Sequence, residues 1–232
     1  SPMMRDKPMS TLDFATTVRS RHSVRQFLPT PMSNAQIREI AEDARRSPSS
    51  TNTQPWSVHI VSGETMTRLK RIMEKFEQGE FRSDFAYDQS KFGGIYEPRW
   101  REFYKAMFAA NGVTRDDTEG RSKITRKNAE FYGAPHAAFL FMPDVGEGNV
   151  NAASDIGMYS QTFLLSLTAR GFGGIPMLFL AMFADVVREE LGISPDLKLL
   201  HAIAFGYPDQ DAPINQFRSN RASVDETVTF YE

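Results

Sequence analysis

Residues 151–170 carry the feature that most limits how this chain can fold. Ile156, Tyr159, Phe163, Leu164 and Leu167 recur at helical spacing but cover more than one helical face. Such a helix has no side to offer to water, so it is buried in a core or in a subunit interface. Gly171 follows it as a left-handed cap. Upstream, Ala137 to Met142 is an unbroken apolar run of a length that suits a buried strand.

The other elements arrange themselves around this pair. Residues 12–20 read as a short helix. Ser33 and Gln36 have capping-box spacing, with Met32 and Ile37 placed for a hydrophobic staple. Ile37, Ile40, Ala41 and Ala44 continue that helix, and Pro48 is expected to end it. Trp56 to Ser62 reads as a strand with Trp56, Val58 and Ile60 on one face. Met66, Leu69, Ile72, Met73 and Phe76 mark one face of a single following helix. Residues 77–133 are charged and aromatic together, which predicts an aromatic-rich helical insertion rather than a linker; Pro98 could open a helix within it. A helix over 184–191 is closed by Gly192. His201 to Tyr207 is a strand stopped by Pro208, and Val228-Thr229-Phe230-Tyr231 is strand-like. Strands and helices mix without the alternation of a doubly wound sheet, so the expected class is α+β. Residues 12–232 form one expected domain, with 1–11 a flexible N-terminus.

With a formal net charge of −2, the 232-residue chain has no field favouring nucleic acid or an anionic membrane. It has no cysteine, which removes thiolate nucleophiles and cysteine-ligated metal together. The histidines 22, 59, 136 and 201 show no i+3 or i+4 pairing, so no metal site is expected. No apolar run reaches the roughly 18–20 residues of a membrane span. Ser1-Pro2-Met3-Met4-Arg5-Asp6 lacks the apolar region of a signal peptide. The expected location is cytoplasmic.

Two short stretches carry chemistry. Arg21-His22-Ser23-Val24-Arg25 sets two guanidinium groups and a hydroxyl close together, which suits a phosphate, although basic pairs before a turn are commonly just solvated. Pro48-Ser49-Ser50-Thr51-Asn52-Thr53-Gln54-Pro55-Trp56 is a loop of small hydrogen-bonding side chains. Asn52 and Gln54 can each donate and accept, as a heteroaromatic ring edged with carbonyls requires. For Ser49, Ser50 and Thr51, capping of their own turn is an equal reading. Together the stretches point to a phosphorylated aromatic cofactor. Gly171-Phe172-Gly173-Gly174-Ile175-Pro176-Met177 is neither a Walker loop nor a dinucleotide fingerprint. It reads as a cap and a turn in which Gly173 and Gly174 would let backbone approach a flat ligand. Arg218 and Arg221 could add phosphate contacts or be solvated. No nucleophile elbow is present.

These residues, in this order, resemble the flavin-dependent nitroreductase family. The resemblance rests on the two stretches above, on Gly173-Gly174-Ile175-Pro176, on Ala204-Phe205-Gly206-Tyr207-Pro208-Asp209, and on Arg221 with Val224-Asp225-Glu226-Thr227-Val228. It runs from about residue 12 to 230. The insertion, with Asn128, Phe131 and Ala134-Pro135 at its end, is similar to the nitrobenzoate and dinitroaniline reductase branch.

The resemblance implies a central, mostly antiparallel sheet flanked by helices, in an intertwined homodimer with two FMN molecules at the interface. It implies that Arg21, His22, Ser23 and Arg25 of one subunit hold the phosphate, ribityl chain and ring edge, joined by Arg218 and Arg221. Ser49, Ser50, Asn52 and Gln54 would come from the partner, and the backbone at Pro176, Met177 and Leu178 would face the ring. Helix 151–170 would form the dimer core. Met177, Leu178 and Phe179 stand where relatives often carry a glycine or an acidic residue, which predicts a more apolar pocket.

The implied activity is NAD(P)H-dependent reduction of nitroaromatic compounds, by ping-pong hydride transfer through flavin N5 with no catalytic side chain. NADPH and NADH both stay open as donor. The insertion is a lid or a packing module. Rival readings are a flavin reductase, reductive dehalogenase or enone reductase on the same scaffold, or a flavin-binding protein without turnover.

Overall fold

Every side chain from Ala137 to Met142 is buried because the strand they form is covered on both faces. The computed structural model describes residues 11–232; the flexible N-terminus expected at 1–11 falls, apart from Thr11, outside them. In chain order the elements are α1 (Phe14–Ser20), α2 (Asn34–Ala44), β1 (Ser57–Val61), α3 (Gly63–Arg68), α4 (Arg71–Gln78), α5 (Tyr96–Ala110), α6 (Thr118–Ala129), β2 (His136–Pro143), α7 (Asn149–Ala169), β3 (Gly173–Met177), α8 (Ala184–Leu191), β4 (Leu197–Gly206) and α9 (Val224–Thr227). The strands make one antiparallel sheet in the order β1-β2-β4-β3. The class is α+β, as expected.

Alternation along β2 divides the core in two. Ala138, Leu140 and Met142 meet Ile37 and Ile40 of α2 and Ile156, Tyr159, Phe163 and Leu167 of α7. Trp56, Val58 and Ile60 of β1 join them. Ala137, Phe139 and Phe141 meet the opposite layer, with Leu69, Ile72, Phe183 and Val187. A bulge in the β2–β4 pairing, where Leu140 faces His201 but Phe141 faces Leu199, puts Leu199 and Ala202 on the same side. The apolar excess of α7 is thus spent largely within one chain.

The Ser33 capping box forms with both of its hydrogen bonds, and Met32 and Ile37 are buried beside it. Other boundaries differ from expectation. α2 ends at Ala44, ahead of Pro48, with Ser47 Oγ bonded to the Ala44 carbonyl. The helix expected through Met66 to Phe76 is two, α3 and α4, joined by a tightened turn at Leu69-Lys70. That break lets Leu69 and Ile72 enter the same core. β4 starts at Leu197, four positions before His201. Val228 to Tyr231 forms no strand: among the described residues no other strand pairs with it, and Tyr231 is 91% exposed. Gly171 does cap α7 at φ +83°.

In segment 77–133, Pro98 sits in the first turn of α5, where a missing N–H costs nothing. A small third core of Met107, Ile124 and Ile214, with Phe103 and Phe217 against it, fastens α5 and α6 to the C-terminal segment. At the stem, the Asp84 carboxylate is 1% exposed and takes both Arg188 nitrogens at 2.7 and 2.8 Å. It also accepts the Leu199 N–H at 2.8 Å. Burial pushes its pKa up, but these donors outweigh that and hold it below the ordinary value.

Candidate functional site

After α1 the chain runs extended beside β3, the sheet edge that no other named strand covers. Ser23 bridges Gly174, and the Val24 N–H donates to the Gly174 carbonyl at 3.1 Å. Val24 is buried, while Arg21, His22, Ser23 and Arg25 line a cavity of about 500 Å³. Arg218 and Arg221 line the same cavity. The structure therefore brings together six of the residues singled out in the sequence.

Asn215, which carries no sequence signal, joins the two segments. It is buried, and its Oδ1 accepts the Arg25 N–H at 2.8 Å. Its Nδ2 donates to the Gln26 and Asp209 carbonyls, both at 2.8 Å. Its own carbonyl accepts from Arg218 Nη1 at 2.7 Å. These four bonds fix the cavity wall.

The cavity has cations without anions. Among the described residues, Arg21, Arg25, Arg218 and Arg221 form no ion pair with a carboxylate. Burial, and then the neighbouring Arg221 charge, pull the Arg21 pKa down. Burial lowers that of Arg25 too, against a smaller opposing effect of Tyr132. His22 is lowered below 6.5, first by burial and further by Arg218, Arg21 and Arg25; its bond to the Ser20 carbonyl works the other way. At neutral pH it is therefore the neutral imidazole. Its Nδ1 lies 3.1 Å from the Ser20 carbonyl oxygen, which can only accept, so Nδ1 carries the proton. Nε2 is then a lone-pair acceptor, buried and without a partner. A ligand that completes this cavity brings negative charge for the guanidinium groups and a hydroxyl for Nε2. A phosphorylated polyol chain has both.

The Ser49–Gln54 loop lies outside this cavity. The Ser50 N–H donates to Asp155 of α7 at 3.1 Å, and Ser49 Oγ accepts the Gln54 N–H at 3.0 Å. Ser49 thus holds its own turn, the second of the readings open in the sequence. Thr51, Asn52 and Gln54 have φ of +47°, +57° and +48°. Three non-glycine residues in that region within four positions store strain, a pattern that clusters at binding sites.

Pro176 and Leu178 also stand outside the cavity and face solvent, Leu178 at 44%. The Met177 side chain is buried in the core, so of the apolar residues after Pro176 it adds nothing to a pocket. The glycines before it belong to β3 and not to a turn. A Cβ on Gly173 would meet Val24 Cγ2 at 2.6 Å and Pro208 Cγ at 2.8 Å. One on Gly174 would meet Leu164 Cδ2 at 2.9 Å and Leu167 Cδ1 at 3.0 Å. The close approach these glycines permit is between layers of the protein, not to a ligand.

A second pair resembles a nucleophile and its base. Ser62 Oγ touches His136 Nδ1, and both line an apolar groove. His136 Nε2 accepts the Met32 N–H at 2.8 Å, so the neutral ring bears its proton on Nδ1 and donates it to Ser62. The ring cannot take a proton from that hydroxyl, and the pair is structural. Among the described residues no three His, Cys, Asp or Glu side chains cluster for a metal, and no helix is long and apolar enough to cross a membrane.

The model of the nitroreductase family matches residues 18–207. The chain is 37% identical over 214 residues to nitroreductase NfnB of Mycolicibacterium smegmatis, covering 92% of this chain and 90% of that one. It is 30% identical over 213 residues to a 4-nitrobenzoate reductase of Pseudomonas putida, covering 91% and 92%. The crystal structure of the FMN-dependent nitroreductase NfnB from Mycobacterium smegmatis in complex with NADPH superposes with a TM-score of 0.90. That match has 36% identity over 94% of this chain and 97% of the other.

Proposed function

The chain belongs to the nitroreductase family, and on that premise we propose that it is an FMN-dependent oxidoreductase that uses NAD(P)H to reduce nitroaromatic compounds. The observation that carries the reading is the cavity in which five arginines, Arg19 with the four above, lack an anionic partner among the described residues beside the open Nε2 of neutral His22.

Arg21, Arg218 and Arg221 would hold the phosphate by charge-assisted hydrogen bonds, strengthened because Arg21 is partly removed from water. His22 Nε2 and Ser23 would meet the ribityl hydroxyls. Arg25 would serve the polar edge of the ring, where its charge favours added negative charge. Backbone at Pro176, Met177 and Leu178 would border the ring. Bound FMN supplies two-electron exchange between NAD(P)H and a nitro group. Nitroarene, NAD(P)H and a proton give nitrosoarene, NAD(P)⁺ and water, and a second round gives the hydroxylamine. Solvent supplies the protons, so no side chain acts as base.

The functional unit is a homodimer with the cofactor at its interface. Ser49, Ser50, Asn52 and Gln54 reach the cofactor from the partner, which accounts for a strained loop lying apart from its own chain's cavity. Exposed Phe14 on α1 and exposed Phe230 and Tyr231 in the tail supply apolar surface for that contact. Segment 77–133 is an insertion in a single domain and covers the substrate. We place the protein in the cytoplasm, where its nicotinamide donor is supplied.

The test is the visible spectrum of the purified protein with NADPH under anaerobic conditions, followed by 4-nitrobenzoate. Flavin bands that bleach and then return with consumption of the nitro compound are expected. A colourless protein that fails to take up added FMN overturns the reading. Bleached flavin that only an enone, a haloarene or free flavin restores would replace the acceptor and keep the scaffold.

A further inference from the structure

Just past α6, Phe131, Tyr132 and Gly133 have φ of +56°, +52° and +78°. Glycine adopts that region freely, but two bulky residues in succession do not, and such strain persists only where the surroundings hold it. Phe131 is buried, with its ring T-shaped against Phe139 of β2. The Tyr132 carbonyl accepts the Phe27 N–H at 3.1 Å, in the extended segment that carries Arg25. What the strained turn achieves is the position of one hydroxyl. Tyr132 is buried, and its Oη stands beside the Arg25 guanidinium.

The polarity of that hydroxyl is fixed. Asn128 Nδ2 donates to the Thr125 carbonyl at 3.1 Å, which leaves Oδ1 as the acceptor, and Tyr132 Oη donates to it at 2.8 Å. With its proton engaged, the hydroxyl offers Arg25 only lone pairs. The guanidinium carbon also lies over the Phe103 ring of α5, 5.5 Å from its centre. Both neighbours are neutral, and among the described residues no carboxylate pairs with Arg25. Burial raises the Tyr132 pKa against the opposing pull of Arg25 and Asn128, so the side chain stays a neutral phenol. A carboxylate in its place would orient the guanidinium and also cancel its charge. A phenol and an aromatic face orient it and leave the charge for a ligand of the cavity.

We propose that Tyr132, set by Asn128, is a positioning residue that holds the uncancelled Arg25 guanidinium toward the cavity and so raises the reduction potential of the bound flavin. This rests on the reading above, in which Arg25 serves the edge of the ring. A fixed cation there favours the form with more negative charge, the reduced one; a cation free to swing away favours it less. Phe103, Asn128 and Tyr132 all belong to segment 77–133, so the segment reaches the cofactor through a single side chain.

The experiment is a dye-equilibrated redox titration of the protein with FMN in excess, recording Kd for oxidised FMN and the thermal midpoint of each variant. Tyr132→Phe should weaken reduced FMN about fivefold more than oxidised FMN, which lowers the two-electron potential by about 20 mV. Asn128→Leu should shift it in the same direction. The double variant should fall no further than Tyr132→Phe alone, since Asn128 acts through the hydroxyl. Arg25→Ala should lower the potential at least as much. An unmoved potential in Tyr132→Phe beside a lowered one in Arg25→Ala overturns the proposal and leaves Tyr132 a packing residue. Shifts of Tyr132→Phe and Asn128→Leu that add in full overturn it too. A potential unmoved in Arg25→Ala as well removes Arg25 from the ring edge, and the proposal falls with that assignment. A parent protein that takes up no FMN would instead overturn the flavoenzyme reading itself.

Discussion

Arg25 is held between the Phe103 ring, 5.5 Å from its guanidinium carbon, and the Tyr132 hydroxyl, which itself donates to Asn128 at 2.8 Å. Tyr132 adopts φ +52°, a strained conformation for a bulky side chain. Arg25→Ala should weaken FMN binding by about ten- to a hundredfold, the worth of one charge-assisted hydrogen bond, read as flavin fluorescence on titration of the apoprotein. Tyr132→Phe keeps the ring and should cost less than tenfold, with an unaltered thermal midpoint. Asn215→Ala exposes a different kind of cost. It strands the Arg25 N–H in the interior, while the Gln26 and Asp209 carbonyls keep the N–H groups of Asp209 and Ala212. Urea unfolding should therefore show about 1–3 kcal/mol lost, and FMN retention should fall with it. The arginines were legible in the sequence because Arg21 to Arg25 is a local pattern. Asn215 was not, because its partners lie 189 and 190 positions away and an asparagine in a turn looks like any other.

The same division between local and distant causes holds for elements. The Ser33 capping box needs only four consecutive residues, and it was legible. Gly173 and Gly174 read as a turn because glycine is poor in strands, and tertiary packing overrode that preference. Val24, Pro208 and two leucines of α7 press so closely on β3 that only glycine fits. Gly174→Ala should cost about 1–3 kcal/mol by overpacking, seen as a lower denaturation midpoint with an unchanged slope. The helices of segment 77–133 were foreseeable from composition, but its attachment was not. Asp84→Ala would leave the buried Arg188 only the exposed Asp185 carboxylate as an anion and would strand the Leu199 N–H, and a loss of about 3 kcal/mol is expected. Replacing residues 114–116 with a short linker spares Val113, which packs in the third core, and Asp117, which caps α6. It should shift the ranking in a nitroarene panel while FMN content stays constant; lost FMN would make the segment a packing module.

On the scale of the molecule, acid should be more damaging than the near-neutral net charge implies. Burial holds His201 neutral at about 4, with Nε2 bonded to Ser160 at 2.8 Å. Between pH 6.5 and 4 the unfolded chain takes up a proton that the folded chain refuses, so stability falls as pH drops through that window, by up to about 3 kcal/mol. His22, His59 and His136 are lowered as well and add in the same direction. Below that window the lowered carboxylates of Asp43 and Asp84 become protonated and lose their arginine partners. His201→Gln should flatten the urea midpoint between pH 7.5 and 5; an undiminished slope would assign the effect elsewhere.

The arginine cavity draws one wall from the start of the fold and the other from residues beyond position 214, closed by Asn215. On a ribosome, the sheet strands and α7 emerge and can begin to pack while that second wall is still unmade. If the cavity holds FMN as proposed, the nascent protein can collapse before the cofactor can load, because loading needs the residues beyond position 214. Flavin should accordingly slow the unfolding of the finished protein far more than it hastens refolding. In a cell short of the vitamin, the product that accumulates would be a folded, colourless apoprotein, ready to be rescued without new synthesis.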